Sequence, residues 1–327
     1  MDVVEFPKLG LSIPINPVIF SLGPFTVHWY GVLISLGFLL AVVFGLKYAK
    51  KQGIEPDIII DMLLVNVPLA IIGARLYYVV FNLDYYIRNP LDIIRIWEGG
   101  LAIYGAVIVV VITVVLMARR KNLNALALFD IAMPYIAMAQ GIGRWGNFVN
   151  QEAFGGNTDL PWGMTGNVIR AQLLTMSSDN PAIDPEMPVH PTFLYESLWC
   201  ALIFAFMLWY RKSRKKVDGE VFALYFILYP LGRMFIEGLR TDSLMLGSLR
   251  ISQVLSFVLV AAASFLLLKL RQKGLKEEQA LETVSEYSGL VEQIRQAAPA
   301  DQADTAGQAD TAGGNTEEKH SDEKSGD

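Results

Sequence analysis

Seven apolar stretches of about twenty residues each set the strongest limit on how this chain can fold. A helix needs roughly 20 consecutive apolar residues to cross a bilayer. Hydrophobic residues make up 53% of the chain and charged residues only 18%. We therefore predict an all-α polytopic membrane protein with seven transmembrane helices, at residues 27–47, 57–81, 99–118, 126–142, 192–210, 219–238 and 250–269.

Basic residues follow every second predicted helix and predict the orientation of the chain. The clusters fall on one side of the membrane, at residues 47–51, 119–121, 211–216 and 269–276. Lys and Arg concentrate in cytoplasmic loops, so we expect the N-terminus outside and the C-terminus in the cytoplasm. The net charge of −5 hides this basic character, because residues 276–327 hold 13 acids against 4 bases and leave +4 for the rest.

The parts outside the apolar stretches divide the chain further. Residues 1–26 are predicted to form an irregular segment at the membrane interface, because helices are broken there by Pro14, Pro17 and Pro24. Helices one to four fill residues 27–142, and helices five to seven fill residues 192–270. Between them, residues 143–191 form the longest loop, which we expect to be a small extracytoplasmic head.

Residues 271–327 are expected to form a cytoplasmic tail that is largely disordered. Beyond about residue 298 the sequence repeats Ala, Asp, Thr, Gly and Gln and has no residues that could build a core. A short amphipathic helix is predicted before it, at residues 276–296. The one cysteine, Cys200, lies in an apolar stretch and is expected to be a small buried side chain.

Four arginines lie near the predicted outer ends of the helices, where charged side chains are costly and usually functional. Arg233 and Glu237 share one helix face and can form an ion pair, but this pair does not explain the other arginines. We predict that Arg144 and Arg233 bind the phosphate of an anionic lipid, since guanidinium groups donate in a fork that matches phosphate oxygens. Arg75 and Arg240 either join them or anchor their helices at the interface.

Other polar residues lie at the same level. Asn147 and Asn150 add neutral donors beside Arg144. The aromatic belt of the membrane interface accounts for Trp29 and Tyr30, and the segment from His190 to Glu196 is typical of a helix start. The sequence contains no metal-ligand spacing, P-loop or dinucleotide fingerprint, so we expect no metal and no cofactor.

These observations are compatible with several functional classes of membrane protein that bind a lipid phosphate. An enzyme acting on a lipid headgroup would gather its polar residues at one end of the helices. A lipid scramblase or transporter would continue them towards the cytoplasmic side and contain an inverted repeat. A seven-helix receptor or structural protein would give no reason for converging arginines.

The motif Gly143-Arg144-x-Gly146-Asn147-Phe148-x-Asn150-x-Glu152-x-x-Gly155 resembles the signature of the bacterial prolipoprotein diacylglyceryl transferase family. The resemblance spans roughly residues 5–270. It continues in His28-Trp29-Tyr30-Gly31, Gly73-Ala74-Arg75-Leu76, Glu98-Gly99-Gly100-Leu101, His190-Pro191-Thr192-x-x-Tyr195-Glu196 and Tyr229-x-x-x-Arg233-x-x-x-Glu237-x-x-Arg240.

The resemblance implies an enzyme of the bacterial cell membrane with its active site at the outer leaflet. The expected reaction moves the diacylglyceryl group of phosphatidylglycerol to the lipobox cysteine thiol of a prolipoprotein signal segment, and releases glycerol 1-phosphate. Its partners would be these two substrates and bilayer lipid, without nucleic acid.

The resemblance also assigns roles to residues. It implies that Arg144 and Arg233 bind the phosphate. The expected catalytic residues are Tyr30, Asn147, Glu152, Tyr104 and Arg240, and the expected supporting residues are Gly155, Asn150, Tyr229, Glu237, His190 and Arg75.

Tyr104 departs from the family pattern, in which a histidine proposed as the base for the thiol occupies this position. A tyrosine has a pKa near 10, so it is a poor base at neutral pH unless neighbouring arginines lower that value. The base is therefore left open between Glu152, His190, Tyr104 and no dedicated residue.

Overall fold

The computed structural model describes residues 2–23, 25–241, 245–246 and 249–297. The chain divides into two compact units, residues 1–273 and 274–327. The helices are α1 Trp29–Lys51, α2 Pro56–Phe81, α3 Leu83–Arg88, α4 Ile103–Arg120, α5 Ala125–Asn150, α6 Asn167–Asp179, α7 Thr192–Ser213, α8 Glu220–Glu237 and α9 Ile251–Ala297. The strands are β1 Asp2–Phe6, β2 Leu11–Ile15, β3 Val18–Leu22, β4 Phe25–His28, β5 Thr165–Gly166, β6 Met245–Leu246 and β7 Leu249–Arg250.

Six of the described helices are long and apolar enough to cross a membrane, namely α1, α2, α4, α5, α7 and α9. The prediction of a polytopic, mostly helical membrane protein is confirmed at this level. The sequence also predicted a spanning helix at 219–238, and helix α8 forms there. Helix α8 is not counted among the six because its 18 residues include three charged ones, Glu220, Arg233 and Glu237.

Two predicted helix ends are wrong. Helix α5 was expected to end at residue 142 but continues to Asn150, so the first half of the signature motif is helical rather than a loop. Gly146 lies in this added part and packs against the ring of Tyr30. Helix α9 was expected to end near residue 269 but runs to Ala297. The tail is therefore helical at 271–297, and the predicted disorder beyond 298 lies outside the described residues.

The N-terminal segment consists of strands, so the prediction of an irregular entry is wrong. Strands β1 and β2 form an antiparallel hairpin, and β3 pairs with β4 immediately before α1. Pro14 lies in β2 at the edge of the sheet order β2-β1-β5, where a missing N–H donor is tolerated. The prolines correctly predicted that no α-helix forms in the described part of this segment, but a proline is also compatible with an edge strand.

The head at residues 151–191 and the N-terminal strands share one apolar core. Strand β5 pairs with β1, and helix α6 follows it directly. The core combines residues from both segments with the end of α5 and the start of α7, including Val4, Phe148, Met164, Leu173 and Phe193. This core fixes the C-terminal end of α5 against the N-terminal end of α7.

The helices form two groups with a cleft between them. Helix α5 packs along α1, α7 and α8, whereas α2 packs mainly against α4. Gly73 and Gly105 allow the close crossing of α2 and α4, since a Cβ on Gly105 would lie 2.2 Å from the carbonyl oxygen of Gly73. Few contacts join the two groups, so the cleft between them is open to a ligand.

Asp130 fixes α8 against α5. The start of α5 is capped by Asn124, whose side chain accepts from the Leu126 N–H, so Asp130 is not needed there. The fully buried Asp130 carboxylate accepts from the N–H groups of Gly219 and Phe222, each at 2.8 Å. It thereby satisfies free N–H groups at the N-terminus of α8.

Candidate active site

Helices α5, α7 and α8, with the turn that follows α8, bring three arginines and two glutamates into one cluster. Arg144 Nε lies 2.7 Å from Glu196 Oε2, and Arg233 Nη1 lies 2.7 Å from Glu196 Oε1. Arg233 Nη2 lies 2.6 Å from Glu237 Oε2. Arg240 lies 3.6 Å from Glu196 and 3.9 Å from Glu237. The predicted convergence of Arg144, Arg233 and Arg240 is present in the fold.

The cluster carries a net positive charge because three guanidinium groups meet two carboxylates. The Glu196 and Glu237 side chains are 4% and 5% exposed, whereas those of Arg144 and Arg233 are 23% exposed. The carboxylates therefore lie beneath the arginines, and the guanidinium groups are the parts that a ligand can reach. Such an arrangement favours a bound anion, since fixed charges in a partly dry site are screened little.

Arg144 still has donors that are weakly engaged. Its Nη1 lies 3.4 Å from Asn147 Oδ1, and its Nη2 lies 3.4 Å from the hydroxyl of Tyr229. Both distances are long for hydrogen bonds of a charged donor, which are usually about 2.7–2.9 Å. A phosphate oxygen can therefore replace these contacts at little cost.

Glu152 joins the site through the two asparagines of the signature motif. Asn147 Nδ2 donates to Glu152 Oε1 at 2.9 Å, and Asn150 Nδ2 approaches the same oxygen at 3.4 Å. Asn147 and Arg144 are three residues apart on α5 and share a face. The chain turns back immediately after α5, through left-handed conformations at Gln151 and Ala153, and this turn places Glu152 against Asn147.

Gly155 closes the site on the side of the head. Its N–H donates to the His190 carbonyl at 3.0 Å, and it forms a bridge with Arg240. A Cβ there would lie 2.8 Å from the Cβ of His190 and 2.9 Å from the Leu239 carbonyl, so only glycine fits. The ring Nδ1 of His190 lies 3.2 Å from the Tyr195 hydroxyl. Partial burial lowers the pKa of His190, which keeps the ring neutral at pH 7.

A cavity of about 740 Å³ opens in the cleft beside the arginine cluster. Tyr30, Arg144 and Asn147 line one end of it. Most of the remaining wall is apolar, with Gln140 and Asn66 among the exceptions, and comes from helices α1, α2, α4, α5 and α8. An apolar cavity that ends at a guanidinium group suits a ligand with hydrocarbon chains and an anionic head.

A model of the prolipoprotein diacylglyceryl transferase family matches residues 17–269, well over half of the chain. The chain belongs to the prolipoprotein diacylglyceryl transferase family. The resemblance seen in the motifs and the transferase class expected from it are both confirmed.

Members of this family from several bacteria are similar along nearly their whole length. A protein of Finegoldia magna is 45% identical over 262 residues, which cover 80% of this chain and 98% of the relative. One from Limosilactobacillus reuteri is 44% identical over 272 residues, covering 81% and 95%. One from Streptococcus equi subsp. equi is 45% identical over 271 residues, covering 81% and 99%. Each is named phosphatidylglycerol–prolipoprotein diacylglyceryl transferase.

Arg75 contacts a different part of this transferase-family fold. Its five N–H donors all point to backbone carbonyls, those of Asp92, Ile93, Arg95, Gly99 and Gly100. The guanidinium carbon also lies 5.2 Å from the centre of the Tyr86 ring. A guanidinium has five donors in total, so Arg75 has none left for a phosphate and instead holds the segment before α4.

Tyr104 lies in the first turn of α4, with 48% of the residue exposed. Its ring is 6.2 Å from that of Tyr77 on α2. The residue before it, Ile103, lines the cavity, but Tyr104 is not part of the cavity wall among the described residues.

Sequence reasoning missed the role of Glu196. Its position one turn into α7 suggested ordinary helix-start chemistry, whereas the fold places it between Arg144 and Arg233. A usable signal existed, because a carboxylate at the outer level of an apolar helix needs a cationic partner. The sequence also gave no indication that Tyr229 stacks on Tyr225, whose hydroxyl donates to Gln140 at 2.8 Å.

Proposed function

We propose that this protein transfers the diacylglyceryl group of phosphatidylglycerol to the lipobox cysteine of a prolipoprotein, forming a thioether and releasing glycerol 1-phosphate. The observation that carries the proposal is the apolar cavity that ends at Arg144. Its wall suits two acyl chains, and the net positive cluster at its end suits the phosphate that joins them to the headgroup. The names of the relatives supply the identity of the two substrates.

The orientation belongs to the same proposal. We take α8 as the sixth of seven spans, so that the basic ends of α1, α4 and α7 and the basic residues 269–276 within α9 lie in the cytoplasm. The N-terminus and the head then lie outside, and the arginine cluster lies at the outer leaflet. A membrane-impermeant thiol reagent applied to intact cells should label Glu186→Cys in the head and spare Arg119→Cys. The native Cys200 is buried and gives little background. The reverse labelling pattern would contradict this orientation.

Arg144 and Arg233 act on the leaving group. When the bond between the glycerol carbon and the phosphate oxygen breaks, its electron pair stays on the phosphate, which becomes a monoester with additional negative charge. Two fixed guanidinium groups stabilise that charge as it develops, and they need no reorganisation because Glu196 and Glu237 hold them in place. Arg240 adds a third positive charge from the same side.

The thiol must lose its proton before its sulfur attacks the glycerol carbon. We assign this proton to Glu152. Its carboxylate is hydrogen-bonded to Asn147, which lines the cavity, whereas the ring of Tyr104 lies beside that of Tyr77 and the ring of His190 lies against the Tyr195 hydroxyl. Tyr30 positions the acceptor or the lipid, since its ring packs on Gly146 and lines the cavity.

The test is a transfer assay in membranes that contain this protein, with phosphatidylglycerol and a lipobox peptide. Release of glycerol phosphate should require the cysteine of the peptide and stop when that residue is serine. Arg144→Ala should abolish release. Arg170→Ala is the matched control, because Arg170 is an arginine of the head whose acidic partners, Glu5 and Glu186, lie 3.8–3.9 Å away. Release without the cysteine, or equal release by both variants, would contradict the proposal.

A further inference from the structure

A second cavity, of about 570 Å³, lies between the last turns of α1 and α7, at the opposite end of the bundle from Arg144. We call its four cations the basic pocket: Lys47, Lys51, Arg211 and Lys212. The other described residues of its wall are aromatic, apolar or amide side chains, and none of them is a carboxylate. Four like charges around one cavity repel one another unless an anion joins them.

Two other cations at this end of the protein have acidic partners. Lys121 lies 3.0 Å from Asp61, and Lys215 lies 2.9 Å from Asp130. Arg119 and Arg120 are exposed to solvent, where a single charge costs little. The basic pocket differs from both cases, because it gathers four cations around one cavity whose described wall holds no carboxylate.

Arg211 is held in a fixed position within the basic pocket. Its guanidinium carbon lies 3.3 Å from the centre of the Tyr48 ring, and its Nη2 donates to the Tyr135 hydroxyl at 3.1 Å. Its Nη1 is buried and has no hydrogen-bond partner among the described residues. A buried charged donor without a partner costs free energy, and an oxygen atom of a ligand would remove that cost.

We propose that the basic pocket binds the phosphate group of an anionic molecule, separately from the site at Arg144. Arg211 supplies a preorganised planar donor, and Lys47, Lys51 and Lys212 supply charge around it. Two sources can provide this group, a phospholipid headgroup of the adjacent leaflet or a free phosphate. In the orientation proposed above, the site lies where anionic lipids of the inner leaflet meet juxtamembrane cations. The inference does not depend on the transferase reaction.

The experiment compares two double variants of the full-length protein in detergent micelles by native mass spectrometry. Lys47→Gln with Lys212→Gln removes two charges from the basic pocket. Arg119→Gln with Arg120→Gln removes two exposed charges from the same end of the protein but outside the cavity. The probes are phosphatidic acid and, as a neutral reference, phosphatidylcholine. Any binding at Arg144 is common to all three proteins and cancels in the comparison.

The pocket variant should retain phosphatidic acid roughly tenfold less well than the wild type, since one charge-assisted contact corresponds to at least that factor. The control variant should behave as the wild type, and phosphatidylcholine should not discriminate between them. Excess inorganic phosphate identifies the source: displacement of the lipid shows that free phosphate also enters the pocket, and persistence shows that the lipid headgroup is required. Equal loss of phosphatidic acid in both variants would overturn the proposal.

Folding does not confound this test. Both substituted lysines are exposed, so thermal unfolding and transfer activity should match those of the wild type. Arg211→Lys provides a second variant that keeps the charge but cannot reproduce the planar stack on Tyr48. It should also retain less phosphatidic acid, and wild-type retention would show that Arg211 has no part in the site.

Discussion

Arg144 and Arg233, on helices α5 and α8, bind the two oxygens of one carboxylate, that of Glu196, at 2.7 Å each. This shared carboxylate fixes the distance between the two guanidinium groups while leaving their outer faces accessible. Because it lies 4% exposed beneath them, it acts as a positioning group rather than as a ligand for substrate.

Glu196→Ala should lower kcat about 100-fold, the order expected when a group that preorganises a charged site is lost. Glu196→Gln keeps the shape and one acceptor, so its kcat should lie between that variant and the wild type. Initial rates of glycerol phosphate release at saturating lipid measure both. The control is Glu186→Gln, at a glutamate whose side chain is 81% exposed. Full activity of Glu196→Ala would contradict a positioning role.

Arg75→Lys should lower stability more than catalysis. Lysine has three donors in place of five, so some of the part-buried carbonyls of the segment before α4 lose their partners, at a total cost of roughly 1–3 kcal/mol. The thermal unfolding temperature should fall, while the KM of the folded protein for phosphatidylglycerol should change little. Arg144→Lys should instead raise the KM for phosphatidylglycerol and change the unfolding temperature little. A raised KM for Arg75→Lys would indicate that Arg75 binds the phosphate after all.

Tyr104→Phe should reduce activity far less than Arg144→Ala. The Tyr104 hydroxyl belongs to a half-exposed side chain whose ring lies against Tyr77, away from the described wall of the cavity. Transfer rates over a range of pH will test this. A loss comparable to that of Arg144→Ala would assign the hydroxyl a chemical role.

Gly146→Ala should lower kcat/KM at least about tenfold, because catalysis is sensitive to small displacements of positioned groups. The added Cβ would lie 2.5 Å from Cδ2 of Tyr30, so the ring would have to leave its place in the cavity wall. Gly31→Ala is the matched helical control, since its Cβ would meet nothing within 4 Å. If both variants were fully active, the packing of Tyr30 on Gly146 would be irrelevant to the reaction.

His190 should make stability depend on pH in the mildly acidic range. Burial lowers its folded pKa below the unfolded value of about 6.5, so the unfolded chain takes up a proton first. Its contribution is therefore fully present above about pH 6.5 and is lost as the pH falls from there through the folded pKa. Thermal unfolding across pH 5 to 8 should show a smaller acid-induced decrease for His190→Gln than for the wild type. An unchanged pH dependence would exclude His190 as its source.

The helices were predictable because bilayer thickness sets a length that apolar stretches must match. The ends of α5 and α9 were not. Gly143 and Gly146 are typical of loops, yet both lie inside α5. Glycine is required at position 146 because a side chain would collide with the Tyr30 ring, a contact between segments more than a hundred residues apart. At the N-terminus, β1 pairs with β5 in the head as well as with β2, and local patterns do not reveal that long-range pairing.

The arginines of the site were predictable from the cost of charge near a membrane, and their convergence is present in the fold. Their partners were harder to predict. Arg233 and Glu237 are one turn apart, so helix geometry alone indicated their ion pair. Glu196 pairs across three helices, and only the packing of α7 between α5 and α8 brings it to Arg144.

Asp130 fixes the relative position of two helices of the site from a distance. The Asp130 carboxylate binds the N–H groups at the start of α8 and so holds α8 against α5. Asp130 precedes Arg144 by fourteen residues on α5, which is about 21 Å along the helix axis. If α8 slid by one turn against α5, Arg233 would move about 5.4 Å and lose Glu196. The arginine cluster near one end of the bundle is thus held in register by a carboxylate near the other end. A substitution at Asp130 should therefore weaken the cluster although Asp130 itself lies far from Arg144 and Arg233.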